Sequence, residues 1–330
     1  MERFALAAAV VLGFALTVAL CSLFVPLRRV LERREQQQPV QSEPPRPAPL
    51  RAPLWGGLCA AAGTVAAVGV GWLAACVGQP ELLGSEGRLM TRLLTALAGS
   101  LAFGAVGLAE DLARMRSPAA LGLRRDVRLL LEALAAAFVL LLLRAAGCLP
   151  RGLGVPGAGY VLLGSAVPFL WAVLMVALAE CARIAERDEG AVCGAAFVAM
   201  LALMMVEAGL GVSGLAVLPG ALAGALVALG LWAFPPARLG VGCCGSLLAA
   251  GAIGCIPLSL DMTSLTVPLA LPFWAAGGLL AAQLLCAKRT GKPLRCWVKK
   301  HKMSPETVFL CSFALSAVGY VLALALLRWC

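Results

Sequence analysis

Charged residues are scarce in this chain, at 13% of its 330 residues. Apolar residues make up 61%, and the mean hydropathy is +0.92. A soluble globular domain is closer to half apolar, so this composition excludes one. We therefore interpret the chain as an integral membrane protein.

Three further absences narrow the class of protein. The 13 cysteines contain no C-x-x-C spacing and lie mostly in apolar stretches, which argues against a disulfide or zinc framework. The first apolar run lacks a convincing signal-peptide cleavage site before Cys21, so we expect it to be retained as a helix. No connection between apolar runs is long enough for a separate soluble domain.

Apolar stretches of about 20 residues, the length that crosses a bilayer as a helix, recur along the chain. They lie at about 3–25, 54–77, 93–109, 127–147, 157–179, 191–208, 211–233, 241–260, 265–287 and 306–327. The sequence therefore predicts an all-α integral membrane protein, a single polytopic domain (1–330) with a bundle of about ten transmembrane helices. The segment 28–53, rich in proline and glutamine, is predicted to be a flexible cytoplasmic loop.

The net charge of +10 is not spread evenly over the loops. With the N-terminus outside, most lysines and arginines fall in loops on the cytoplasmic side, which is the positive-inside pattern. Topology and anionic lipid therefore account for part of the basic surplus, and we expect no nucleic-acid partner. The longer, polar loops are the cytoplasmic ones, so the functional site should face the cytoplasm.

Acidic residues at the ends of membrane helices are costly to keep near hydrocarbon and are candidates for function. They occur as the pair Glu110 and Asp111 and as the group Glu180, Glu186, Asp188 and Glu189. A basic run, "KRTGKPLRCWVKKHK" (288–302), contains the single histidine, His301. Carboxylates beside basic residues suit a magnesium-dependent phosphate reaction. Such clusters are also common as solvated helix ends, so composition alone leaves both interpretations open.

Six stretches of the sequence favour the functional interpretation of these clusters. They resemble, in order, motifs of the polyprenyl-phosphate N-acetylhexosamine-1-phosphate transferase family. The similarity is strongest to the branch that transfers phospho-N-acetylmuramoyl-pentapeptide. The stretches are "APLWGGL" (52–58), "FGAVGLAEDLARM" (103–115), "LGLRRDVRLLLE" (121–132), "RIAERDEGAV" (183–192), "GVGCCGSLLAAGAIG" (240–254) and "KRTGK" (288–292).

The resemblance implies a fold, a cofactor and a site. The family has ten membrane helices, cytoplasmic active-site loops, Mg²⁺ as cofactor, and a homodimer in the bacterial cytoplasmic membrane. By this resemblance, Glu110 and Asp111 are catalytic and hold the metal. The residues implied for nucleotide or substrate binding are Arg114, Arg128, Glu186, Glu189, Lys300 and His301.

The chain departs from the family's motifs at several of these positions. Glutamates stand where the family has the first aspartate of its pair and two nucleotide-site aspartates, and Arg183 stands at an asparagine. Cys243 stands at the position where the family has its magnesium-ligand aspartate, and a neutral thiol is a poor ligand for Mg²⁺. We therefore expect Cys243 to be non-ligating, with Glu180 or Asp188 as a candidate replacement.

Three functions stay open at this point. The first is transfer of phospho-N-acetylmuramoyl-pentapeptide from its UDP carrier to undecaprenyl phosphate, with release of UMP. The second is a catalytically degenerate paralogue that binds polyprenyl phosphate or a partner without turnover. The third is a small-molecule transporter, which is disfavoured because no charge lies at mid-membrane depth in the apolar segments apart from Glu207, which is near a segment end.

Overall fold

The structure, a computed structural model, describes most of the chain. The described residues are 2–36, 55–78, 88–116, 122–150, 152–155, 159–162, 164–186, 189–212, 214–234, 238–290 and 304–329. Within these ranges the chain is almost entirely helical, which confirms the prediction of an all-α membrane protein. The apolar composition explains this, because a helix satisfies its backbone hydrogen bonds internally where no water can.

The elements follow one another as helices with a single hairpin between the fourth and the fifth. The helices are α1 (Glu2–Gln36), α2 (Gly56–Gly78), α3 (Arg88–Arg116), α4 (Arg125–Ala145), α5 (Ala166–Ala185), α6 (Glu189–Gly209), α7 (Val217–Ala233), α8 (Gly242–Ser259), the short α9 (Thr266–Leu269), α10 (Leu271–Thr290) and α11 (Pro305–Trp329). The strands β1 (Gly152–Val155) and β2 (Gly159–Leu162) pair antiparallel.

Each of the ten predicted apolar segments coincides with a helix, but not all of them qualify as spans. Among the described residues, seven helices are long and apolar enough to cross a membrane, or eight if a bent pair counts as one. The helix α4 carries Arg128, Glu132 and Arg144 between its ends, and α7 has only 17 residues. The number ten therefore stays a prediction.

Three boundaries differ from the prediction for identifiable reasons. The helix α1 continues to Gln36, so the first nine residues of the loop predicted at 28–53 are helical; "RRVLERREQ" consists mainly of strong helix formers. The segment predicted at 157–179 begins as strand β2 and becomes helical only at Ala166, after Gly164 in a left-handed conformation (φ +58°). The segment predicted at 265–287 bends by 64° between α9 and α10.

The helix α8 forms the centre of the bundle, with all of its residues buried. It packs closely against α3 through small residues: a Cβ added at Gly107 would collide with the carbonyl oxygen of Cys243, and one at Gly251 would lie 3.1 Å from the Cα of Ser100. Small residues let helix backbones approach in membranes, where burial of apolar surface gives little driving force. This approach brings the C-terminal end of α3 to the N-terminal end of α8.

The two ends of α8 have different surroundings. At its N-terminal end, the backbone N–H of Gly57 on α2 donates to the carbonyl of Val241 at 3.1 Å. Beyond its C-terminal end, the Tyr160 hydroxyl of the hairpin donates to Asp261 at 3.1 Å. Eighteen residues separate these ends by about 27 Å. The acidic side chains described next belong to the N-terminal end.

Candidate active site

Asp111 connects α3 to the start of α8. Its Oδ1 accepts the backbone N–H of Cys243 at 3.0 Å, and its Oδ2 accepts that of Cys244 at 2.9 Å. The side chain is fully buried. A carboxylate placed here satisfies N–H groups that a helix leaves without intrahelical partners, and its charge complements the helix dipole.

Arg114, one turn after Glu110 on α3, bridges two acidic motifs. Its NH2 donates to Glu110 Oε1 at 2.8 Å, and its NH1 donates to Glu186 Oε1 at 3.1 Å. Glu186 follows directly on α5, in the stretch between α5 and α6. One guanidinium group therefore holds the acids of two motifs that are distant in sequence.

Glu186 also contacts the third motif. The Cys243 thiol donates to Glu186 Oε2 at 2.8 Å, so Glu186 turns one oxygen towards Arg114 and the other towards α8. One donor atom from each of Asp111, Glu186 and Cys243 lies within 4.8 Å of the others, and all three residues are buried. Among the described residues, this is the one group of acids and thiols close enough to share a metal ion.

The donor set of this group does not fit a magnesium ion. Mg²⁺ requires oxygen ligands in a near-ideal octahedron, and one of the three donors is the sulfur of Cys243. Glu110, the other ligand that the resemblance implies, does not belong to this group. The magnesium ligands implied by the resemblance, Asp111 with Glu110, therefore stay a prediction that the arrangement of side chains does not support.

A second set of ion pairs lies beside the first, around Arg128 of α4. Its Nε donates to Glu180 Oε1 at 2.8 Å, and its NH1 lies 3.7 Å from Glu110 Oε1. Arg183 NH2 donates to the other oxygen of Glu180 at 2.7 Å. Glu180 is thus held by two arginines, which occupy both oxygens of this candidate replacement ligand.

Glu132 belongs to this second set and was missed in the sequence. It is fully buried, its Oε1 lies 4.0 Å from Arg128 Nε, and neither oxygen has a hydrogen-bond partner among the described residues. Glu132 lies one turn after Arg128 on α4, at the end of the "LGLRRDVRLLLE" stretch. That i,i+4 spacing was the signal by which it could have been found.

Four of the ten buried side-chain polar atoms that lack a hydrogen-bond partner among the described residues lie around the site. They are Glu110 Oε2, both Glu132 oxygens and Arg183 Nε. Buried polar atoms without hydrogen-bond partners cost about 1–3 kcal/mol each. These acceptors and this donor are available to a ligand.

The structure places five of the predicted site residues together: Glu110, Asp111, Arg114, Arg128 and Glu186. Glu189 begins α6, and its side chain is not described. Lys300, His301 and Asp188 lie outside the described residues. The Cys243 thiol lies close to the acids of two other motifs, and its expected non-ligating character stays a prediction.

Comparison with known proteins agrees with this arrangement of motifs. The family model for glycosyl transferase family 4 matches residues 93–261, which include α3, α4, α5 and α8. The phospho-N-acetylmuramoyl-pentapeptide-transferase of Geobacillus kaustophilus (strain HTA426) is 25% identical over 308 residues, covering 92% of this chain and 89% of that protein. The protein of the same name from Desulforudis audaxviator (strain MP104C) is 30% identical over 253 residues, covering 73% of this chain and 72% of that protein.

The matched family region takes in the residues of both ion-pair sets, and each relative covers most of the chain. The resemblance noted in the sequence is therefore confirmed. This chain belongs to glycosyl transferase family 4, the phospho-sugar transferases that act on polyprenyl phosphates.

Proposed function

We propose that this protein transfers phospho-N-acetylmuramoyl-pentapeptide from its UDP carrier to undecaprenyl phosphate and releases UMP. One observation carries the proposal. The stretches 103–115, 183–192 and 240–254, far apart in sequence, meet at one buried point through the contacts of Asp111 with Cys243 and of Cys243 with Glu186. The relatives' names and family membership supply the reaction type.

In the proposed reaction, an oxygen of the lipid phosphate forms a bond to the β-phosphorus of the UDP-sugar. The bond from that phosphorus to the bridging oxygen breaks, and the electron pair leaves with UMP. Negative charge on the phosphoryl oxygens needs fixed cationic or N–H donors, which stabilise it best in a site that excludes water.

The arginines are the groups of this chain suited to that role. Arg183 keeps a buried Nε–H without a hydrogen-bond partner among the described residues, and Arg128 uses its Nε on Glu180 while its NH1 only approaches Glu110 at 3.7 Å. A guanidinium has five N–H donors, so each can hold its carboxylate and still contact a phosphate. The proposed contribution of Glu180 is to keep these two guanidinium groups in position, and that of Asp111 is to hold the start of α8 beside them.

The substrates and the location follow from the same proposal. A polyprenyl phosphate and a UDP-sugar are the proposed substrates, and the proposed location is the bacterial cytoplasmic membrane, with the N-terminus outside and the site facing the cytoplasm. The homodimer is proposed only because the family resemblance implies one. No step above depends on a metal ion, since the donors at Cys243 do not fit magnesium.

A second candidate function has a specific observation in its favour. Both oxygens of Asp111 are engaged by α8, and the position implied for the metal ligand carries a thiol. A protein with these features would suit binding of polyprenyl phosphate without turnover. The two candidates differ in one measurable property, which is UMP release.

The test is UMP release by the purified chain in detergent with undecaprenyl phosphate and UDP-N-acetylmuramoyl-pentapeptide, with Mg²⁺ present or absent. Asp111→Asn should lower the rate on the order of a hundredfold, because small displacements at a reacting centre are costly. Asp126→Asn, at an exposed acid outside the site, is the matched control and should keep the native rate. Every protein is first checked for native folding by its unfolding temperature.

Two results would overturn the proposed transferase. One is a native chain without UMP release while Cys243→Asp gains it, which would favour the binding protein. The other is release that persists unchanged in Asp111→Asn. For the binding protein, undecaprenyl phosphate should raise the unfolding temperature of the native chain although no UMP appears.

A further inference from the structure

We propose that Cys243, Glu186 and Asp111 bind a thiophilic divalent cation of the Zn²⁺ class in place of magnesium. The three side chains come from the N-terminal end of α8, the C-terminal end of α5 and the last turns of α3. Their donor atoms lie within 4.8 Å of one another. A cation at their centre would therefore reach all three without movement of any helix.

The chemistry of the donors selects the ion. Thiolate sulfur is a soft ligand that favours Zn²⁺ or Co²⁺ over Mg²⁺, and carboxylate oxygens bind Zn²⁺ as well. Three protein ligands with a fourth position open is the arrangement of catalytic zinc sites. The cysteine at position 243, in place of the family's aspartate, makes the site unsuitable for magnesium and suitable for a softer metal.

The surroundings of the three ligands supply the remaining features of a metal site. The two backbone N–H groups that donate to Asp111 fix its orientation, as outer hydrogen bonds do for metal ligands generally. Arg114 NH1 orients Glu186 through Oε1 at 3.1 Å and, more weakly, through Oε2 at 3.4 Å, and Oε2 also accepts the Cys243 thiol. Packing around the three residues excludes competing solvent, since all are buried.

A second observation also favours a cation at this site. Glu110, next to Asp111 and joined to Glu186 through Arg114, is 2% exposed, and its Oε2 has no hydrogen-bond partner in the described part of the chain. With Asp111 and Glu132 counted, the two neighbouring sets hold five acids and three arginines, so the formal charge of their side chains is negative. A divalent cation would compensate that charge, whereas the neutral thiol of Cys243 does not.

Binding has a defined proton balance. The Cys243 thiol, which donates to Glu186 Oε2, must lose its proton to become a ligand. The sulfur–hydrogen bond breaks, a metal–sulfur bond forms, and one proton is released to the solvent for each ion bound. If the open position accepts a phosphate oxygen of the substrate, that further role rests on the proposed function, but metal binding itself does not.

The experiment uses the purified full-length chain in detergent and Co²⁺ as a spectroscopic probe. Cobalt bound by a thiolate gives sulfur-to-metal charge-transfer absorption, which carboxylates alone do not give. We expect this absorption to saturate at one Co²⁺ per chain, to disappear on addition of Zn²⁺, and to resist excess Mg²⁺. Zn²⁺ added to the metal-free chain should release one proton per ion bound, whereas Zn²⁺ that displaces bound Co²⁺ should release none.

The variants assign the signal among the many cysteines. Cys243→Ser should abolish the absorption and weaken Zn²⁺ binding about a hundredfold, whereas Cys244→Ser, its buried neighbour outside the ligand group, should keep both. Should Cys243→Ser not fold, Glu186→Gln provides the same test with the thiol intact and should weaken Zn²⁺ binding at least tenfold.

Three outcomes would overturn the proposal: absorption that is unchanged in Cys243→Ser, displacement of Co²⁺ by Mg²⁺ as readily as by Zn²⁺, or no binding by the folded native chain. The transferase assay is separate. Metal binding without UMP release contradicts the proposed function alone, and UMP release without Cys243-dependent metal binding contradicts this inference alone.

Discussion

The carboxylate of Asp111 accepts the backbone N–H of Cys243 at 3.0 Å and so joins the end of α3 to the start of α8. These residues are 132 positions apart. The contact gives Asp111 a structural role, as a cap on the most buried helix, in addition to any chemical one. Four predictions follow from this site and its supporting contacts.

The first concerns the cap itself. Asp111→Ala removes both acceptors and leaves the N–H groups of Cys243 and Cys244 unpaired, which should lower the free energy of unfolding by about 2 kcal/mol. Asp111→Asn keeps one acceptor oxygen and should cost about half as much. Thermal unfolding in detergent measures both, and Asp126→Ala at an exposed position should stay within about 0.5 kcal/mol of native. An unchanged Asp111→Ala protein would contradict the capping role.

The second concerns the close approach of α3 to α8. Gly107→Ala places a methyl group against the Cys243 carbonyl, which backbone movement alone can relieve, so it should destabilise the protein by about 1–3 kcal/mol. It should also displace Cys243 and reduce UMP release. Gly69→Ala in α2 is the matched control, because a Cβ there meets nothing within 4 Å. Equal unfolding temperatures for the two variants would contradict this packing.

The third concerns the bridge formed by Arg114. Arg114→Lys can hold Glu110 or Glu186 but has no planar fork to hold both, and we expect a loss of about 1 kcal/mol. Arg114→Ala removes the cation that bonds Glu186 and leaves Glu110 with Arg128 at 3.7 Å, which should cost about 3–5 kcal/mol. Arg116→Ala, at an exposed position on the same helix, should change little. We expect the unfolding temperature to be lowest for Arg114→Ala, higher for Arg114→Lys and highest for the native chain.

The fourth concerns the choice of ion at Cys243. Cys243→Asp places a third carboxylate beside Asp111 and Glu186, and without divalent ions the repulsion should lower stability by about 1 kcal/mol or more. Millimolar Mg²⁺ should restore it, because position 243 then supplies a charged carboxylate oxygen, which neither the native thiol nor the neutral hydroxyl of Cys243→Ser provides. Neither the native chain nor Cys243→Ser should respond to Mg²⁺ in this way. The unfolding temperatures of the native chain, Cys243→Asp and Cys243→Ser, each measured in chelator and in Mg²⁺, test this prediction.

Sequence reasoning located most of the site residues but not their partners. Glu110 and Asp111 were identified because adjacent acids at the end of an apolar run are unusual, and Glu186 and Cys243 because their stretches resemble family motifs. Glu132 was missed although it lies one turn after Arg128 on α4, a spacing that the sequence itself shows. Its complete burial became evident only once the helices were packed together.

The sequence by itself determined the class of protein, the approximate positions of the membrane helices and the order of the motifs. These properties depend on apolar composition and on spacing along the chain, which are local. Only the tertiary structure decided that the Cys243 thiol lies close to Glu186 and Asp111, that Arg114 joins two motifs, and that Glu132 is buried with no hydrogen-bond partner among the described residues. Those relationships depend on how closely α3, α5 and α8 approach, and that distance is set by small residues from several helices acting together.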